Sequence, residues 1–266
     1  MRYVPVVVFL LALASCKPDT IEVGYHFDEG ATFTYEMEAH ADASWEIAGS
    51  NAGSYDVSFD VTETIRSADE DGATVEVQMV PVDASEEGLP SPGLETRTFT
   101  LELGPTGEVL KVLNVNDITA TALDANDVAF IGTYRPALAD GPIHLHDSWS
   151  ATQDLSSDAA PQQLETTGVL DALGRDQRGE LAYIEFDGEG PLTWSTRLPQ
   201  GEASLEGTAT TDGRAVVDIG GGFLRRASST TSGDFDVRIA PTGGRAPIGG
   251  TLHLELRLTI RQTSSD

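Results

Sequence analysis

Apolar and polar residues alternate one by one over long stretches of this 266-residue chain. The clearest run is at the C-terminus, where every second residue from Leu252 to Ile260 is aliphatic and the residues between them are polar. A period of two places the two sets of side chains on opposite faces of a β-strand. The pattern therefore predicts antiparallel sheet with one face on a core and the other in water. Similar runs begin at Phe33, Tyr55, Val75 and Phe99.

Turn sequences that contain glycine separate these runs and predict hairpins. They lie at residues 69–72, 104–107, 177–179, 187–188, 212–213 and 232–234. One short helix is predicted at residues 117–130, with Asn116 or Asp117 as its cap. The residues that recur at helical spacing are Ile118, Ala122, Ala125 and Ala129.

Two short stretches of the sequence have a similar pattern, and each begins one half of the chain. Residues 25–33 (YHFDEGATF) and 143–149 (IHLHDSW) each combine an apolar-polar-apolar step, a polar turn and an aromatic residue that begins a strand. We read them as the starts of two related β-meander halves, residues 21–135 and 136–266. The predicted fold is all-β and mostly antiparallel, with two related meander halves that form curved sheets and at most one or two short helices.

The N-terminus carries a processing signal. An apolar run at residues 4–14 follows Arg2 and is shorter than the ~20 residues that cross a bilayer as a helix. It ends in Leu13-Ala14-Ser15-Cys16, which is similar to the lipobox of bacterial lipoproteins. The resemblance implies that a diacylglycerol is attached to the Cys16 thiol and that residues 1–15 are removed as a signal peptide. It also implies that the new amino group is acylated, for example with palmitate.

Lipidation makes residues 16–20 a tether of about 15 Å between the bilayer and the folded chain. It places the protein in the bacterial cell envelope, and Lys17 after the cysteine favours the outer membrane, on its periplasmic face or at the cell surface. Cys16 is the only cysteine, so no thiol remains for a disulfide or a zinc site. Lipobox and strand pattern together resemble a broad group of β-rich envelope lipoproteins of unknown function, which implies a fold but no activity.

The chain is strongly acidic, with a formal net charge of −27. Such a surface repels the phosphates of nucleic acids and anionic lipid headgroups. We therefore expect no nucleic-acid partner, and contact with the lipid bilayer only through the acylated Cys16.

His144 and His146 are the candidate metal ligands. On a strand, the H-x-H spacing would point both imidazoles to one face about 7 Å apart, beside Asp147, as half of a zinc or copper site. The alternative is two solvent-facing strand residues, which we favour because the spacing fixes no third ligand. The sequence thus predicts no metal and no cofactor.

Three other features have a functional and a structural interpretation. Glycines 220–222 suggest either a phosphate loop or a tight strand connection, and the acidic stretches 69–71 and 124–127 suggest calcium sites or solvated turns. The three tryptophans suggest an apolar groove or core packing. They are Trp45, Trp149 and Trp194. We favour the structural interpretation of each feature.

No G-x-S-x-G elbow is present, and no catalytic residues are predicted.

We expect a membrane-anchored envelope lipoprotein that is not an enzyme and that binds an unknown envelope protein or a hydrophobic ligand. The alternative is a periplasmic carrier or sensor for lipid or lipoprotein acyl chains, and a hydrolase is third. A carrier requires an apolar cavity of several hundred Å3, a hydrolase requires a histidine beside a nucleophile, and an interaction module requires an exposed apolar patch.

A Cys16→Ser variant should move from the membrane to the soluble periplasmic or culture fraction. The acyl chains that hold the protein on the bilayer, at about 0.8 kcal/mol per buried CH2, cannot be attached to serine. Fractionation by centrifugation with immunoblotting measures the change, and continued pelleting of the variant with membranes would contradict the lipoprotein prediction.

Overall fold

The computed structural model describes residues 20–47, 49–88, 95–116, 118–119, 135–154, 163–198, 201–241 and 246–265. In these ranges the chain forms twelve β-strands and no helix, and so no helix there is long and apolar enough to cross a membrane. The strands are β1 (Thr32–Glu46), β2 (Ser50–Asp69), β3 (Gly72–Glu87), β4 (Arg97–Leu103), β5 (Val109–Val115), β6 (Ile118–Thr119), β7 (Ser148–Asp154), β8 (Gln163–Arg175), β9 (Glu180–Leu198), β10 (Gly201–Asp218), β11 (Phe223–Pro241) and β12 (Ile248–Ser265).

The twelve strands form one antiparallel sheet in the order β6-β5-β4-β3-β2-β1-β12-β11-β10-β9-β8-β7. Strands β1–β6 form one meander and β7–β12 another, and the two meanders join where β1 pairs with β12. β5 and β7 lie near opposite ends of this order, yet they contact each other. The sheet is therefore curled into an almost closed barrel, and the predicted all-β fold of antiparallel meanders is confirmed.

The alternation seen in the sequence separates an inner from an outer face of the barrel. On β12, Leu258 and Ile260 are buried, whereas Arg257, Thr259 and Arg261 are exposed. Equivalent inner positions of the other strands supply the main core. Its largest fully buried apolar side chains include Tyr35, Met37, Ile65, Phe99, Leu138, Leu170, Ile184 and Leu224.

One end of the barrel, which we call the closed end, is covered by residues 20–31. Ile21 pairs with Ile143 beside β7. The His26 N–H donates to the carbonyl of Gly222 at 2.8 Å, and the Gly30 N–H donates to the carbonyl of Ile65 at 2.9 Å. The segment thus connects the β10–β11 hairpin to β2 across the barrel. We call the opposite end the open end.

The glycine triplet 220–222 is part of this closure. Gly222 has a φ of 61°, and a Cβ at this position would overlap His26, so the turn requires glycine. Within the turn, Asp218 accepts the Gly221 N–H at 2.7 Å. Because a carboxylate occupies the backbone donor that a phosphate would need, the triplet is the tight strand connection and not an anion loop.

Three predicted turns are wrong, because residues 187–188, 212–213 and 232–234 lie inside β9, β10 and β11. At two of them an aromatic ring takes the space of the missing side chain. A Cβ at Gly213 would overlap the ring of Phe186, and one at Gly233 would approach the ring of Phe235. This aromatic packing over glycine lets the strands continue, and β9 and β11 reach 19 residues each.

The predicted helix at 117–130 does not begin where the sequence suggests. Ile118–Thr119 forms β6 and pairs with Val115 and Asn114. Asn116 has a φ of 49°, a left-handed turn conformation that asparagine tolerates. Asn116 therefore turns the chain back and does not cap a helix. Most of the remaining predicted range lies outside the described residues.

A buried ion pair fixes residues 135–139 inside the barrel. The carboxylate of Glu63, on the inner face of β2, is fully buried and binds the guanidinium of Arg135. This guanidinium lies 4.8 Å from the ring centre of Tyr25, and the Tyr25 hydroxyl donates to the carbonyl of Pro136 at 3.0 Å. Burial raises the pKa of Tyr25, which keeps the hydroxyl a donor. The cluster therefore connects residues 20–31 and residues 135–139 to β2.

A Glu63→Gln variant should lower the free energy of unfolding by about 3–5 kcal/mol, because it leaves the Arg135 charge buried without its counter-ion. Glu180→Gln is the matched control. It breaks the exposed Arg175–Glu180 pair, and we expect a loss of less than about 1 kcal/mol. Urea unfolding followed by circular dichroism measures both values, and equal small losses would contradict the importance of the buried pair.

Candidate functional site

The inner face carries a second apolar cluster at the open end, beyond the main core. It lies on β9–β12. Leu205, Ala209 and Phe235 are its buried members. The other members, which stay half-buried and so keep accessible apolar surface, are Leu192, Val237, Leu252 and Leu254. We call this set the second cluster.

Among the described residues, the barrel is open at the level of the second cluster. The last pair between β8 and β9 is Glu165 with Glu189. Beyond it, the described part of the chain pairs residues 190–198 of β9 only with β10. The long strands therefore extend past β7 and β8 as an open curved sheet, whose inner face is the second cluster.

Residues of unequal size lie side by side across the strands of the second cluster. Phe235 pairs with Gly207 on β10 and with Leu252 on β12. Leu254 pairs with Gly233 on β11 and with Ala43 on β1. Side chains of such unequal height make a ridged and grooved apolar surface, which suits a flexible alkyl chain.

Four uncharged polar side chains separate the main core from the second cluster. On the inner face of β10 and β11, the hydroxyl oxygens of Thr211 and Thr231 lie 2.8 Å apart. On β8, the Thr166 hydroxyl donates to the carbonyl of Ala151 at 3.2 Å. Gln153 on β7 is 2% exposed. We call Gln153, Thr166, Thr211 and Thr231 the polar belt.

Neither part of this site is predicted from the sequence. The local sequence predicts turns at Gly213 and Gly233, which would end β10 and β11 at the belt. A usable signal was present, because Thr211 and Thr231 are polar residues in phase with the apolar positions Ala209 and Phe235. Polar residues in phase with a core-facing set mark a polar band on the inner face.

The predicted metal ligands His144 and His146 lie in a turn and not on a strand. Asp147 accepts the backbone N–H of His144 at 2.8 Å and lies 3.1 Å from its ring Nδ1. His146 has a φ of 69°, and its N–H donates to the carbonyl of Leu170. The strand geometry that suggested a metal pair is absent. The described residues hold no group of three His, Cys, Asp or Glu that suits a metal.

The other candidates divide between the described and the undescribed parts of the chain. Asp69 accepts the Asp71 N–H at 2.9 Å in an ordinary turn, and stretch 124–127 lies outside the described residues. The ring of Trp149 covers Gly168, and its Nε1 donates to the carbonyl of Ala137 at 2.9 Å, which is a packing role. Trp45 is half-buried on the inner face. The lipobox residues Leu13, Ala14, Ser15 and Cys16 and the side chain of Trp194 lie outside the described residues.

The outer face carries a network of charged side chains around His40. Its Nδ1 lies 2.7 Å from Asp56, and its Nε2 lies 3.0 Å from Asp42. The hydrogen bond to Asp56 is the main reason why the pKa of His40 is raised above 6.5. Ser85 also belongs to the network, but its hydroxyl donates to Asp56. Because both imidazole nitrogens face carboxylates, this histidine is not placed to activate the serine as a nucleophile.

Comparisons with known proteins give no family. No protein-family model matches the chain, and no curated protein matches it. Among solved structures, the chain is similar to one described as "lipid-protein interactions in lipovitellin", with a TM-score of 0.46 and 11% identity over 91% of this chain. The chain spans 26% of the length of that protein. A likeness of this size implies nothing about the ligand of this chain.

The pKa of His40 should fall towards 6.5 in an Asp56→Asn variant, since its main hydrogen-bond acceptor loses its charge. Because the pKa is raised in the folded state, protonated His40 adds to the free energy of unfolding. This contribution is fully present below about pH 6.5 and is lost as the pH rises through the folded-state pKa. NMR titration of the His40 ring protons measures the shift. Asp234→Asn, which removes the charge beside His253, is the control and should leave the His40 titration unchanged.

Proposed function

We propose that this protein is a lipid-anchored, non-catalytic binding protein of the bacterial envelope that holds a hydrophobic ligand on the second cluster. The observation that carries the proposal is the half-buried apolar surface of Leu192, Leu252 and Leu254, left on the inner face after the main core is complete. A connected apolar surface that the described residues leave partly accessible is typical of a binding site.

The position of the two ends of the barrel supports an anchored role. Residues 20–31 lie at the closed end, so a lipid on Cys16 and a tether of about 15 Å would bring that end to the bilayer. The second cluster would then face away from the bilayer, where a ligand can reach it. The closed end is filled by the main core, which leaves the open end as the apolar surface for a ligand.

The arrangement of the histidines supports a non-catalytic role. Three of the five histidines have an aspartate as the ring partner, namely His40, His144 and His253. These contacts are on the outer face or in a turn, so they do not face the second cluster. The chemistry at the apolar surface is therefore that of binding.

Binding of the uncharged fluorescent probe N-phenyl-1-naphthylamine tests the proposal. Residues 16–266 with Cys16→Ser are used, so that neither the apolar run at residues 4–14 nor a detergent competes for the probe. We expect saturable binding, and at least tenfold weaker binding in a Leu254→Asp variant, because a carboxylate on the apolar face must be desolvated when the probe binds.

Val82→Asp is the matched control, since Val82 is 63% exposed on β3 and outside the second cluster. It should leave the affinity for the probe unchanged. Thermal unfolding of both variants shows whether they remain folded. Absence of binding to the parent protein, or equal weakening in both folded variants, would contradict the proposal.

A further inference from the structure

We infer that the ligand is an amphiphile with a long alkyl chain and an uncharged, hydroxyl-bearing head group, and that the polar belt binds this head. The inference rests on the proposed function, because the second cluster has to hold the alkyl chain. The head group of the ligand would lie at the polar belt, and its alkyl chain would lie along the second cluster.

The side chain of Gln153 has a buried acceptor that makes no hydrogen bond to the described residues. Its side chain is 2% exposed, and its Nε2 donates to the carbonyl of Arg135 at 3.5 Å. Its Oε1 is buried, and no donor among the described residues reaches it. A buried acceptor without a donor is destabilising, because it has lost its hydrogen bonds to water and gained none in the protein. A hydroxyl of a bound ligand would supply the missing hydrogen bond.

The Gln153 amide is oriented by its contact with Arg135. The amide nitrogen donates to the Arg135 carbonyl, and the Arg135 side chain is held by the buried pair with Glu63. The nitrogen end of the amide therefore faces residues 135–139, and its oxygen is the end without a donor among the described residues.

The threonines of the belt keep hydrogen-bond donors and acceptors that their contacts with each other and with the backbone do not use. Thr211 and Thr231 share one hydrogen between their two oxygens, so the other hydroxyl hydrogen and several lone pairs remain. Thr166 uses its hydrogen on the carbonyl of Ala151 and keeps its lone pairs. The belt therefore offers both acceptors and a donor, which is the complement of a hydroxyl-bearing head.

The register places the belt beside the second cluster. Thr166 and Thr211 both pair with Gly188 on the intervening strand β9, which adds no side chain between them. On β11, Val237 lies six positions after Thr231, which is about 20 Å of strand. A head at the belt therefore places a long alkyl chain along the apolar residues of the second cluster.

The charge of the belt and of the whole chain favours an uncharged head group. All four side chains of the belt are uncharged, and the whole chain carries a net charge of −27. An anionic head would lose its hydration at the belt while it is repelled by the rest of the protein. A cationic head would lose its hydration without finding a carboxylate in the belt. An uncharged head avoids both costs.

Displacement of the naphthylamine probe by three amphiphiles with the same twelve-carbon chain tests the inference. These are monododecanoylglycerol, dodecanoate and dodecyltrimethylammonium, each used below its micelle concentration. We expect the glycerol ester to bind at least tenfold tighter than the two ions. In a Thr211→Val/Thr231→Val variant and, separately, in Gln153→Met, this preference should fall below about threefold while the affinity for the probe is retained.

Thr210→Val is the control, since Thr210 is an exposed outer-face neighbour on β10, and it should keep the full preference. If the probe binds but the three amphiphiles bind equally, or if both belt variants keep the preference, the inference is overturned and the proposed function stands. If the probe does not bind to the parent protein, the proposed function itself fails. The Gln153→Met variant decides the matter if the double valine variant does not fold.

Discussion

The buried ion pair between Glu63 and Arg135 is the interaction on which the rest of the structure depends. A fully buried carboxylate on the inner face of β2 is tolerable only with its counter-ion, and that counter-ion comes from the segment between the two meanders. The Arg135 guanidinium also lies over Tyr25 and its carbonyl accepts from Gln153. One charged contact thus connects the closure of the barrel to the polar belt.

The sheet uses the same strands in two ways along their length. Near the closed end, large apolar side chains fill the barrel and supply the stability of the fold. Towards the open end, rings such as that of Phe235 lie over glycines and leave a ridged surface of half-buried leucines. Because the strands are long enough to continue past the main core, the chain can keep a stable barrel and still leave an apolar face accessible.

The sequence predicted the faces of the strands well and their lengths poorly. Alternation placed Leu258 and Ile260 on the core side, as the structure confirms. The local sequence at Gly213 and Gly233 favours a turn, and the aromatic rings that cover these glycines come from Phe186 on the neighbouring strand and from Phe235 further along β11. The polar belt was missed for a related reason, since Thr211 and Thr231 are ordinary strand residues until the sheet brings them together.

By itself the sequence determined that the chain is a β-protein with one apolar and one polar face on most strands, because the direction of a side chain on a strand depends only on its position along the pleat. It also supplies the lipobox at Cys16, which lies outside the described residues and stays a prediction. Only the tertiary structure decided that β1 pairs with β12 and that Glu63 meets Arg135, 72 positions away. It also decided that four separate strands supply one polar belt. Such contacts depend on the register and curvature of the whole sheet, which no local pattern in the sequence specifies.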